Sequence, residues 1–137
     1  MSWAHSLIRI REFEIETLRK RLGIIMEAKT KGEIAIAVLD AEVEAETAHA
    51  RKHADAGWYL VGYRQGWAIR KDKIEAERQT IVMEEQGCRD ALAEAFTELK
   101  KVEQVAENQA TAANKLANQR EQAAMDEIAL RRTGTEG

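Results

Sequence analysis

Proline is absent from this 137-residue chain, glycine occurs eight times and cysteine once. Without proline, the strongest helix breaker is missing, and the lone Cys88 excludes an internal disulfide. Aromatic residues make up only 5% of the chain, too few to line a large cofactor pocket. No run approaches the roughly 18 to 20 consecutive apolar residues of a membrane span. The opening Met1, Ser2, Trp3 also lacks the basic, apolar and small-residue succession of an export signal. A dominant charge sign is missing too: 21 basic against 24 acidic residues leave a net charge of -3, too balanced for a protein that grips phosphate backbones. The expectation is a cytoplasmic protein with no membrane insertion and no nucleic-acid partner.

What is present points to helices. Alanine is abundant and 33% of the residues are charged, a profile of long helices that nearly excludes a sheet. Between residues 3 and 54 apolar side chains recur at alternating spacings of three and four. With Ile8 at position a, the a series reads Ile8, Ile15, Leu22, Lys29, Ile36, Val43, Ala50. The d series reads Arg11, Leu18, Ile25, Gly32, Leu39, Glu46, His53. A second, more alanine-rich series runs from 67 to 131, with Lys71, Arg78, Glu85, Leu92, Leu99 and Ala106 among its a positions. Its d positions include Ile74, Ile81, Cys88, Ala95 and Val102. The predicted fold is all-α: one coiled-coil domain of two long helices in an antiparallel hairpin, with a disordered tail over 133–137.

Between the two series lie Gly57, Gly62 and Gly66. Each glycine weakens a helix by roughly 1 kcal/mol relative to alanine, so the turn is expected over 55–66. A continuous helix dimerising with a second chain is the rival arrangement. If the turn centres on Gly62, facing residues have numbers that add to 124. The layers then become Ile8 with Leu116, Leu22 with Val102, Ile36 with Cys88, Glu46 with Arg78, Lys29 with Ala95 and Leu39 with Glu85. This register leaves everything from Ala124 onward without a partner, exposing Met125, Ile128 and Leu130.

Few residues suggest chemistry. His49 and His53 share a helical face, but Ala50 follows His49, so the His-Glu-x-x-His zinc pattern is not formed, and no metal is expected. Cys88 reads as a small core residue. The glutamate groups at Glu84 and Glu85, and at Glu42, Glu44 and Glu46, read as solvated faces, because two packed helices offer no cleft to desolvate an acid and a base. No phosphate-binding glycine loop is present, so neither an enzyme nor a cofactor is predicted. Two surfaces stand out instead. Arg9, Arg11, Arg19, Lys20 and Arg21 gather with Arg120, Arg131 and Arg132 at the open end, which favours an acidic partner. Trp58, Tyr59, Tyr63 and Trp67 crowd the closed end, where two are expected to pack and two to be exposed as partner anchors.

The run Met125, Asp126, Glu127, Ile128, Ala129, followed by Leu130, Arg131 and Arg132, resembles the Met/Leu-Asp-Glu-apolar-small pattern of the FliJ family, coiled-coil proteins of the bacterial flagellar type III export apparatus. Ser6, Leu7, Ile8, Arg9, Ile10, Arg11 and Phe13 resemble the opening run of its alphaproteobacterial members. A hairpin of this kind is expected to be a monomer, and the resemblance implies a stalk-like adaptor for protein export in flagellum biogenesis, similar to the central stalk of rotary ATPases. It would bind a hexameric export ATPase, a membrane export gate protein and export chaperones, at the cytoplasmic face of the inner membrane. Carried over by position, Met125, Asp126, Glu127 and Ile128 become ATPase-ring contacts, with Ile8 and Arg11 beside them. The assignment of Trp58, Tyr59, Tyr63 and Trp67 to the gate or chaperones comes from their clustering, not from a family motif. A virulence-type secretion stalk and a general coiled-coil scaffold are the alternatives.

Overall fold

The computed structural model describes residues 3–53, 55 and 57–136, and for 135 and 136 only the backbone. Two helices account for nearly all of it, α1 over Trp3–Lys52 and α2 over Gly57–Glu136. At 1.5 Å per residue they measure roughly 75 and 120 Å. The expected tail from 133 is helical through Glu136, and Gly137 lies outside the described residues.

The turn is not where the glycines suggested. The chain reverses between Lys52 and Gly57, and Gly57, Gly62 and Gly66 are all inside α2, with no glycine at positive φ among the described residues. The roughly 1 kcal/mol that each glycine costs a helix is offset because continuing the helix lays Tyr59, Leu60, Tyr63 and Trp67 against α1, all of them half-buried. Burying such a side chain contributes about 1.5 to 3 kcal/mol when complete. Local charge marks the true turn. Arg51 and Lys52 occupy the last turn of α1, where cations suit the dipole, and Asp55 stands just before α2, where an anion does.

The chain forms two compact units, Ile15–Glu94, and Met1–Glu14 with Ala95–Gly137. In the first, α1 and α2 pack antiparallel as a coiled-coil hairpin. Lys29 meets Glu85 at 2.9 Å, Lys71 meets Asp40 at 3.1 Å, and Arg78 reaches Glu33 at 3.8 Å. The Cys88 thiol lies 3.4 Å from the Leu18 carbonyl. The facing numbers in these pairs add to between 106 and 114, centred on 110 and not 124. The helices are thus slipped by two heptads from the sequence-predicted register. Ile36 stands level with Ile74, Leu18 with Leu92 and Leu22 with Cys88. Lys29 does not face Ala95, nor Glu46 Arg78, nor Leu39 Glu85. The corrected register puts apolar residues together and gives Lys29, Lys71 and Arg78 acidic partners across the seam, which is why it wins.

In the second unit, Ala4 and Ala95 are buried, and Leu7, Ile8, Arg11, Leu99, Val102 and Ala106 are half-buried. Burial in α2 stops at Ala106, the residue level with Ala4. Every described side chain from Glu107 to Gly134 is exposed. The unpartnered stretch therefore begins at Glu107, well before Ala124, and Leu116, expected opposite Ile8, is exposed within it.

Candidate functional site

The Met125–Ile128 segment sits in that exposed stretch. Met125 is 60% and Ile128 53% accessible, and their three-residue spacing puts them on one side of α2. Leu130, also exposed, lies on another side by the 3.6-residue period. The flanking carboxylates are held within the helix: Gln122 Nε2 donates to Asp126 at 3.2 Å, and Arg131 pairs with Glu127 at 2.9 Å. The result is an apolar pair edged by oriented acids and by Arg131 and Arg132.

Ile8 and Arg11 are placed differently. Both are seam residues, half-buried, with Ile8 level with Val102 and Arg11 with Leu99. Arg11 donates to Glu14 at 3.1 Å, and its Nε is buried with no hydrogen-bond partner. From the level of Ile8 to Met125 is 23 residues of α2, roughly 35 Å, so the structure does not bring these two groups together. Arg9, Lys20 and Arg21 are exposed.

The aromatic cluster divides unevenly. Trp58 is 83% accessible and meets the edge of Tyr59 at a centroid distance of 6.2 Å. The Tyr59 hydroxyl donates to Glu46 at 2.8 Å, and this bond to a carboxylate raises the phenol above its usual range. Trp67 donates through Nε1 to Asp40 at 3.1 Å and lies under the Lys71 ammonium, 5.1 Å from the ring centroid. Tyr63 and Trp67 line a hollow of about 100 Å³ with Gly62 and Gly66. One aromatic is thus fully exposed and three are half-buried, against the expected two of each.

A polar layer of the seam was not foreseen. Glu85 accepts from Lys29 at 2.9 Å and Arg89 at 3.2 Å, and the Lys29 bond first, then the Arg89 bond, holds its carboxyl below the usual glutamate range. The signal was available, since Lys29 and Glu85 both break their apolar series, but only the correct register joins them. The rings of His49 and His53 lie 4.4 Å apart, and no group of three potential metal ligands exists among the described residues. Among those residues, no helix is long and apolar enough to cross a membrane.

Comparison with known proteins places this architecture. Over 135 residues the chain is 46% identical to proteins named flagellar FliJ protein from two strains of Caulobacter vibrioides, covering 98% of this chain and 97% of each relative. The chain belongs to the flagellar FliJ family. No family model matches it, and no solved structure does.

Proposed function

We propose that this FliJ-family chain is a non-enzymatic, stalk-like adaptor of the flagellar protein export apparatus, stationed at the cytoplasmic face of the inner membrane. Its relatives' name carries the flagellar assignment. The physical support is the helical stretch 107–134, which is exposed throughout and presents Met125 and Ile128 to solvent. An exposed apolar pair with charged borders is the surface a protein partner buries. In this reading Met125, Asp126, Glu127 and Ile128 contact the hexameric export ATPase, and Ile8 and Arg11 contribute only the edges their packing leaves open. Trp58, with Tyr59, Tyr63 and Trp67 behind it, supplies the anchor for the export gate protein or an export chaperone.

The test is to add the purified chain to the cognate export ATPase and follow association and hydrolysis. Association is expected, with Met125→Ala/Ile128→Ala weakening it by about tenfold or more while the helical content is unchanged. Absence of association, together with unchanged hydrolysis, rejects the reading. Deleting the gene separates the alternatives: loss of swimming is expected, whereas motile cells defective in another secretion route indicate a virulence-type stalk.

A further inference from the structure

One side of the Ile15–Glu94 unit carries an open groove of about 480 Å³. Ala35, Val38, Leu39 and Ile74 line it with apolar surface, and Arg70, Lys73 and Glu77 complete its wall. Lys31 lies one heptad before Val38, and Glu42 one heptad after Ala35, so both continue the α1 side of the groove. These charges differ from those of the seam. Lys29, Asp40, Lys71, Arg78 and Glu85 each have an ionic partner, whereas Lys31, Glu42, Arg70, Lys73 and Glu77 have no side-chain partner among the described residues.

Their order is self-complementary. A two-fold axis crossing the hairpin at the level of residues 73 and 74 of α2 also passes residues 36 and 37 of α1, given the observed register. Rotation about it sets Arg70 against Glu77 of a second copy, and Glu77 against that copy's Arg70. On α1 the same rotation sets Lys31 against Glu42 and Val38 against Ala35. One axis thus matches both helices, joining opposite charges at each end, with Ala35, Val38 and Ile74 near its centre and the flexible Lys73 of each copy beside the axis. An isologous contact requires this kind of self-matching.

We propose that the groove is a self-association surface, across which a second copy docks antiparallel to form a four-helix contact closed by reciprocal Arg70–Glu77 and Lys31–Glu42 pairs. The surface lies apart from the Met125–Ile128 segment and does not depend on its role. From Lys31 to Glu42 the contact spans only roughly 17 Å of helix. Interfaces of such small extent are weak, so dimerisation is expected at roughly tens to hundreds of micromolar.

Sedimentation of the full chain from about 5 µM to about 1 mM, with helicity checked by circular dichroism, tests this. The expected result is a reversible monomer–dimer equilibrium that weakens as salt rises. Arg70→Glu alone, or Glu77→Arg alone, creates two like-charge contacts by symmetry and should weaken the dimer about tenfold or more. Combining Arg70→Glu with Glu77→Arg should restore it, since the exchanged charges meet again across the axis. A chain that stays monomeric throughout overturns the proposal, as does a dimer indifferent to either single reversal or a double variant no better than the singles. If the monomer persists while Arg70→Glu abolishes docking of an amphipathic helix from a different protein, the groove serves that protein and self-association is rejected.

Discussion

Two stretches of α2 are equally helical and differently held. Residues 57–94 send Trp67, Ile74, Ile81, Cys88 and Leu92 into a seam with α1, whereas residues 107–134 put Gln109, Ala113, Leu116, Arg120, Ala123, Glu127 and Leu130 at the equivalent heptad positions and remain exposed. Alanine favours helix as strongly as any residue but offers little area to bury. In the exposed stretch, stability comes instead from local pairs such as Gln122 with Asp126 and Arg131 with Glu127, each contributing about 0.2 to 0.5 kcal/mol. Helix propensity alone can therefore extend a helix, but packing anchors it. A segment that is ordered yet uncommitted can be covered by another protein without first being pulled from its own core.

The sharpest way to break this contrast is to empty the seam. Ile25 is buried at a d position, and Ile25→Ala should lower unfolding stability by about 2 to 4 kcal/mol, measured by urea denaturation. A loss below about 0.5 kcal/mol would show that the seam does not hold the fold.

Next in size are the glycines that α2 absorbed. A Cβ at Gly62 or Gly66 would meet nothing within 4 Å, so Gly62→Ala and Gly66→Ala should each raise stability by about 1 kcal/mol. Destabilisation by either would mean that residues 57–66 are not helical in solution.

A smaller effect comes from the polar layer. The folded-state pKa of Glu85 lies below the ordinary glutamate value, set by Lys29 first and Arg89 second. Its contribution is therefore present above the unfolded glutamate pKa and lost as pH falls through the depressed folded value. Thermal melts should show the wild-type chain losing more stability than Glu85→Gln on acidification below the ordinary glutamate value of 4.5. Parallel pH profiles would contradict the Lys29–Glu85 pairing.

The smallest effect belongs to the exposed stretch. Met125→Ala should change unfolding stability by less than about 0.5 kcal/mol, despite removing a large apolar side chain. A larger loss would reveal an intramolecular contact at that position.

Much of this architecture is legible residue by residue. The heptad phase read from Ile8 places every a and d residue of α1 from Ile8 to Ala50 in buried or half-buried positions, and the same holds in α2 from Lys71 to Ala106. The charged exceptions Lys29, Lys71 and Glu85 sit in the seam as the phase requires. What the phase cannot supply is register, because sliding one helix by seven residues returns every a and d to the seam. The choice fell to local turn signals, and there the glycines at 57, 62 and 66 outweighed Arg51, Lys52 and Asp55. The candidate surfaces followed that choice. The exposure of Met125 and Ile128 was readable because both registers leave them uncovered, while the separation of Ile8 and Arg11 from them was not.

Pattern and propensity by themselves settled that this chain is helical, which side of each helix turns inward, and that its last turns display apolar residues beside charges. Those properties depend on neighbours three and four residues apart, which the linear order already specifies. Only the packed structure decided where the chain reverses and which layer meets which. That decision balances the helix penalty of three glycines against the burial of Tyr59, Leu60, Tyr63 and Trp67 and the pairing of Lys29 with Glu85. The stabilising side of that balance arises only when residues tens of positions apart come into contact.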